Sequence, residues 1–140
     1  MDTAIRYNLF RPMVPGDKDM LISGMASVRE RKSETVVKLR PEGQHLACFT
    51  GGMLALGGKL VNNQTHVDNG EKLTDGCIWA YQVAPLGIMP ETFYALPCES
   101  KSGIERTNPS HAFRKGRCRT AAFVTFVAET LHGLLSSSTA

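Results

Sequence analysis

Several features that would place a sequence in a class at once are missing from this one. No apolar run approaches the roughly 20 residues that a membrane-spanning helix needs, and there are no internal repeats. The N-terminal stretch MDTAIRYNLFRPMVPG has no uninterrupted apolar core before its first proline, so no cleavable secretory signal is expected in it. No two cysteines stand in C-x-x-C spacing. The four, Cys48, Cys77, Cys98 and Cys118, therefore argue against a zinc ribbon or a thioredoxin-type site and leave disulfides or buried thiols open. Charge of one sign is also scarce over most of the chain. Lys and Arg number 16 against 13 Asp and Glu, and Arg114, Lys115, Arg117 and Arg119 supply the whole excess within one short stretch.

What is present is enough for one modest core. With 140 residues, 42% of them apolar and 21% charged, the chain is too short for two ordinary domains and too apolar to be wholly disordered. Turn formers and not long linkers divide it into three zones. Residues 1–24 hold a short helix through Ile5 and Leu9, a Pro- and Gly-punctuated loop, and a strand at residues 20–22 that ends at Gly24. Val36, Val37 and Leu39 make a second β-prone run. The charged residues 29–34 between the two runs predict a β-hairpin with a solvated tip.

Residues 44–61 place Leu46, Phe49, Met53, Leu56 and Leu60 at spacings of three and four, which predicts a helix with an apolar stripe. Gly51, Gly52, Gly57 and Gly58 each cost about 1 kcal/mol against Ala inside a helix. Close approach of a neighbouring helix or a ligand would explain them, although Gly57 and Gly58 could equally end the helix. A second helix is expected from Asn69 or Glu71 to Val83, with Leu73, Cys77, Trp79, Ala80 and Val83 as apolar positions and Pro85 as the stop. In the last zone a basic stretch precedes the apolar residues 121–135, read as one more helix through Phe123, Val127 and Leu131. A Ser-rich end, residues 136–140, should fray.

Local motifs point weakly. Residues 52–59 have a superficial likeness to a phosphate-binding loop, but the register is off by one and Leu60 follows the lysine, so nucleotide binding is not expected. The basic residues 114–119 lack interleaved aromatics and any nucleic-acid-binding signature, and are read as a solvated loop. Asn63, Gln64 and Thr65 form an N-x-[ST] sequon between the two expected helices, whereas Asn108 is disqualified by Pro109. His45 stands at a helix start, where a structural hydrogen-bonding role and a site role are both open. Glu91 follows Pro90 in an otherwise apolar stretch and is read as a first-turn helix carboxylate, favoured by the helix dipole, or a site group.

The larger pattern is more specific. HLACFTGGMLALGGKL from His45, followed by LTDGCIWAYQVAPLGIMPETF, is similar to glycoside hydrolase family 47, the class I α-1,2-mannosidases. In that family an H-L-x-C-F segment opens one barrel helix, a second Cys lies on the next, and a G-x-x-P-E segment follows. Here these are residues 45–49, Cys77, and Gly87 with Pro90 and Glu91, in the same order. FRPMVPGDKDMLISG also resembles the fungal members, and the likeness covers residues 1–104.

The resemblance implies an all-α fold, part of an (α/α)7 barrel with a short β-hairpin, that trims terminal α-1,2-linked mannose from N-glycans. It also implies the secretory pathway, dependence on Ca2+, and an inverting mechanism in which one carboxylic acid protonates the leaving oxygen while a carboxylate activates water. It makes Cys48 and Cys77 a disulfide, and it makes His45 and Glu91 residues of the substrate cavity. The Asn63 sequon gains credibility as a glycosylation site, since oxidation and glycosylation share a compartment. A high-mannose N-glycan is the implied partner, the chain is expected to be monomeric, and neither nucleic acid nor a membrane span is expected.

Departures from the family are equally specific. Its general-acid Glu and the acidic residue of its A-D-S-x-Y-E-Y segment have no counterpart in this sequence. The family's L-R-P-E segment should lie downstream of Glu91. Leu39, Arg40, Pro41 and Glu42 spell it upstream, where it is read as a coincidence. The calcium-holding Thr is also missing, Thr139 having none of its flanking residues, so no metal ligands are assigned. Residues 105–140 are read as a divergent basic and Ser-rich tail. The expectation is a partial catalytic domain that does not hydrolyse mannosides as a chain of this length. A non-catalytic glycan-binding or quality-control module, and an interaction protein whose tail covers an exposed core, are the competing expectations.

Overall fold

In a computed structural model, residues 1–16, 18–31, 34–98 and 124–126 of the chain are described. A short helix, α1 (Asp2–Asn8), leads into strand β1 (Leu9–Phe10), which pairs antiparallel with β2 (Ile22–Ser23). The loop between them runs over Pro12 and Val14, both buried. Strand β3 (Met25–Arg31) and strand β4 (Glu34–Arg40) form the hairpin, in a register from Met25 opposite Arg40 to Arg31 opposite Glu34.

The hairpin differs from the expected one. Residues 20–22 do not form its first strand; only Ile22 enters a strand, and that strand belongs to the β1 pair. The Gly24 N–H donates to the Asn8 carbonyl at 2.8 Å and separates the two pairings. The charged residues read as a loop lie largely within the ladder, because a ribbon open to water on both sides accepts charges at successive positions. Residues 32 and 33 of the expected tip lie outside the described residues.

Strand β5 (Glu42–Gln44) runs into a single 3₁₀ turn (His45–Cys48), then helix α2 (Phe49–Leu60) and helix α3 (Gln64–Val83). After a second 3₁₀ turn (Pro85–Gly87), strand β6 (Thr92–Ala95) pairs with β5 on one side and with β7 (Val124–Phe126) on the other. Both pairings are antiparallel. Among the described residues, helices are thus accompanied by three small sheets and not by one hairpin alone. Strand β7 also corrects the helix expected over residues 121–135: its backbone completes a sheet edge, a long-range pairing that overrides local helical spacing. The remainder of that expected helix, the basic residues 114–119 and Cys118 lie outside the described residues.

A short turn joins α2 and α3, as expected of antiparallel helical neighbours, and their interface is built from glycine. A Cβ on Gly70 would lie 2.7 Å from the Ala55 nitrogen and from the Gly51 oxygen, so only a bare Cα permits this approach. Gly51 and Gly58 face the same seam and are buried, while Gly52 faces open space and Gly57 meets only the Met1 side chain. Neither Gly57 nor Gly58 ends α2. Their carbonyls accept the Val61 and Asn63 N–H groups, closing a helix that continues to Leu60.

Helix α3 begins at Gln64, earlier than expected, because the Asn63 side chain caps it by accepting the His66 N–H at 3.3 Å. At Gly76 the backbone of the segment before β2 lies directly on α3: an added Cβ would stand 1.9 Å from the Leu21 oxygen. Leu21 donates from its N–H to the Lys72 carbonyl, and the Lys72 ammonium pairs with Asp19 at 2.8 Å. Two apolar clusters result. One gathers Phe10, Met20, Trp79, Met89 and Phe93; the other gathers Leu9, Leu21, Leu54 and Leu73.

The apolar stripe of α2 lies elsewhere. Leu46, Phe49, Met53, Leu56 and Leu60 are between 52% and 79% exposed, and the residues α2 buries are Gly51, Leu54 and Gly58. Val83, read as an apolar position of α3, is also exposed, whereas Leu73, Trp79 and Ala80 are buried.

Candidate functional site

The site is assembled where β5 turns into α2. Gln44 pairs with Thr92 across the β5–β6 ladder, which sets His45 and Glu91 side by side just beyond the paired residues. The His45 N–H donates to the Glu91 carbonyl at 2.9 Å. Both residues are exposed. Glu91 does not stand in the first turn of a helix. It lies in a bend that enters β6, because pairing with β5 draws the backbone after Pro90 into extended form.

The imidazole of His45 has its own partner. Its Nε2 lies 2.5 Å from the Tyr81 hydroxyl, and the two rings meet edge-on with centroids 5.9 Å apart. Tyr81 comes from α3, and the reason it meets His45 is covalent. Cys48 and Cys77 form a disulfide with Cα atoms 5.9 Å apart. His45 is one 3₁₀ turn before Cys48, and Tyr81 is one α-helical turn beyond Cys77. Closing a loop of this length stabilises the fold by roughly 3–4 kcal/mol in the chain-entropy model. Sequence reading singled out His45 and Glu91 and passed over Tyr81. The signal was the i, i+4 spacing of Tyr81 from Cys77, which puts both on one face of α3. Cys98 is also disulfide-bonded.

Glu42, the last residue of the L-R-P-E run, is not an available base. Its buried carboxylate accepts from the Arg40 guanidinium at 2.6 Å and from the Tyr94 hydroxyl at 2.7 Å. The cluster ties β4, β5 and β6 together, which accounts for the segment structurally. Asn63 stands at the far end of α2, about 18 Å from the His45 end by helical rise, and takes no part in this site. At that end the Asp2 carboxylate accepts from His66 Nε2 at 2.7 Å. The His66 hydrogen bond, and then its charge, hold Asp2 below the usual carboxylate range.

A cavity of about 180 Å³ opens between α1 and α2 and is lined by Met1, Ile5, Leu9, Thr50, Met53 and Leu54 among others. None of His45, Tyr81 or Glu91 lines it, and it contains no acidic side chain. Among the described residues no three His, Cys, Asp or Glu side chains gather as metal ligands, and no helix is long and apolar enough to cross a membrane.

Comparison with known proteins adds the following. A sequence model of glycosyl hydrolase family 47 matches residues 1–122. The probable mannosyl-oligosaccharide α-1,2-mannosidase 1B of Neosartorya fischeri is 42% identical over 67 residues, which are 45% of this chain and 14% of that protein. The mannosyl-oligosaccharide α-1,2-mannosidase 1B of Emericella nidulans is 48% identical over 50 residues, 36% of this chain and 10% of that protein. The solved structure of an α-1,2-mannosidase from Trichoderma reesei superposes with a TM-score of 0.53 at 29% identity, covering 78% of this chain and 20% of that one. The chain therefore spans a fifth or less of the length of these relatives.

Proposed function

Because the chain belongs to glycosyl hydrolase family 47, we propose that it forms part of the sugar-binding cavity of an α-1,2-mannosidase barrel, with His45 and Glu91 facing the substrate. The observation that carries this reading is their juxtaposition: the β5–β6 pair and the His45 N–H bond to the Glu91 carbonyl bring an imidazole and a carboxylate to one exposed edge. Together the two side chains offer a nitrogen and an acid oxygen that hydrogen-bond vicinal hydroxyls, the groups a terminal mannose presents. The substrate class is then a high-mannose N-glycan, and the compartment is the secretory pathway. A Cys48–Cys77 disulfide suits that compartment. Asn63 is proposed as a glycan acceptor: its Oδ1 caps α3, which leaves the amide nitrogen for the sugar.

Hydrolysis with inversion needs an acid and a base on opposite faces of the sugar, about 6.5–9.5 Å apart. In this chain Glu91 has no such partner assigned, and the carboxylate nearest to His45 in sequence, Glu42, is held by Arg40 and Tyr94. We therefore assign the chain by itself a binding role and no turnover. A calcium seat needs six to eight oxygen ligands; among the described residues no three His, Cys, Asp or Glu side chains gather to anchor one, and no step is routed through the ion. Titration of the oxidised chain with an α-1,2-linked mannobiose, followed by NMR, tests the reading. Perturbations centred on His45 and Glu91, lost in His45→Ala, are expected. A ligand that perturbs neither residue would overturn it.

A further inference from the structure

We propose that Tyr81 is the positioning residue of His45: its hydroxyl donates to Nε2 and so fixes the tautomer that presents Nδ1–H as a donor to the sugar. The inference rests on reading His45 as a cavity residue, but its physical basis stands apart from any ligand. A neutral imidazole has one donor and one acceptor nitrogen, and which is which is set by the hydrogen bond one of them makes. A phenol is a more acidic donor than an imidazole N–H, so at 2.5 Å the pairing with Tyr81 is O–H to Nε2. The proton is then left on Nδ1. Among the described residues Nδ1 has no hydrogen-bond partner, and the residue is exposed, so this N–H is free to meet a hydroxyl or carboxylate oxygen.

The surroundings support a fixed geometry. The His45 backbone is held by Glu91, its ring by Tyr81, and the elements carrying His45 and Tyr81 are joined by the Cys48–Cys77 bond one turn from each. A residue held at its backbone and at its ring, one turn from a covalent link, does not need substrate to orient it. Tyr81 is itself partly exposed and belongs to neither apolar cluster, so its place on α3 is not explained by core packing.

The experiment is a long-range ¹H–¹⁵N NMR measurement of the imidazole nitrogens in the oxidised full chain at mildly alkaline pH, with the His45 signals assigned by their loss in His45→Gln. The wild-type chain is expected to hold His45 predominantly as the Nδ1–H tautomer. Tyr81→Phe keeps the ring but removes the hydroxyl, and is expected to shift the tautomer ratio toward Nε2–H by roughly two- to tenfold, the worth of one hydrogen bond. A role in stability alone would lower the melting temperature and leave the ratio unmoved. A wild-type His45 that is mainly Nε2–H, or a folded Tyr81→Phe chain with an unchanged ratio, would overturn the proposal; if the variant does not fold, the wild-type tautomer decides. The tautomer is read without sugar, so mannobiose failing to perturb His45 counts against the cavity reading and not against the Tyr81 pairing.

Discussion

Helix α2 has two faces that reverse the usual expectation. The face rich in large apolar side chains, Phe49 with Met53, Leu56 and Leu60, is open to solvent, as is Leu46 in the turn before it, while the face that packs closely is made of Gly51, Leu54 and Gly58. The period of the large residues marks a surface that asks for a partner, and the glycines mark the surface that already has one. Amphipathic spacing identifies a helix and its apolar side. It does not say which neighbour covers that side. The glycines are more informative: their cost in a helix is offset only by close backbone approach, and Gly70 on α3 meets Gly51 at that distance.

The contrast can be broken at several points. Gly70→Val places atoms where the Ala55 nitrogen and the Gly51 oxygen already stand. Backbone cannot yield as a side chain does, so destabilisation beyond the roughly 1–3 kcal/mol usual for overpacking is expected. It would be read as loss of a cooperative melting transition. Removing the disulfide with Cys48→Ser and Cys77→Ser together should cost roughly 3–4 kcal/mol and should broaden the His45 and Tyr81 NMR signals, since the bond lies one turn from each.

Two leucines on opposite faces make the sharpest pair. Leu54→Ala is expected to cost about 2–5 kcal/mol by cavity formation, and Leu56→Ala to stay within about 0.5 kcal/mol; equal effects in urea melts would erase the distinction. The smallest effect belongs to Asp2. Its pKa is lower in the folded chain than in the unfolded one, so its contribution is present above the ordinary carboxylate pKa and is lost as pH falls through the lowered value. Asp2→Asn should flatten that acid limb, lowering stability slightly at neutral pH and leaving it unchanged below the lowered value.

Much of this fold was legible and the failures have physical causes. The β4 strand, α1, α2 and the body of α3 follow from local spacing. The early start of α3 is also readable, since Asn63 is a good cap residue. Glu91 was placed on a helix and β7 within one because their strands exist only through long-range pairing with β5 and β6, which no local window reports. The candidate site was legible as two residues, His45 and Glu91. Tyr81 is not legible there, because it becomes the neighbour of His45 only through the fold that the Cys48–Cys77 disulfide ties.

The central proposal is that this chain forms a wall of a mannosidase cavity and does not by itself hydrolyse mannosides. The most direct test incubates the purified, oxidised chain with a high-mannose N-glycan and calcium and measures free mannose. The account predicts none above the level of buffer alone. Sustained, calcium-dependent release that disappears in His45→Ala would contradict it.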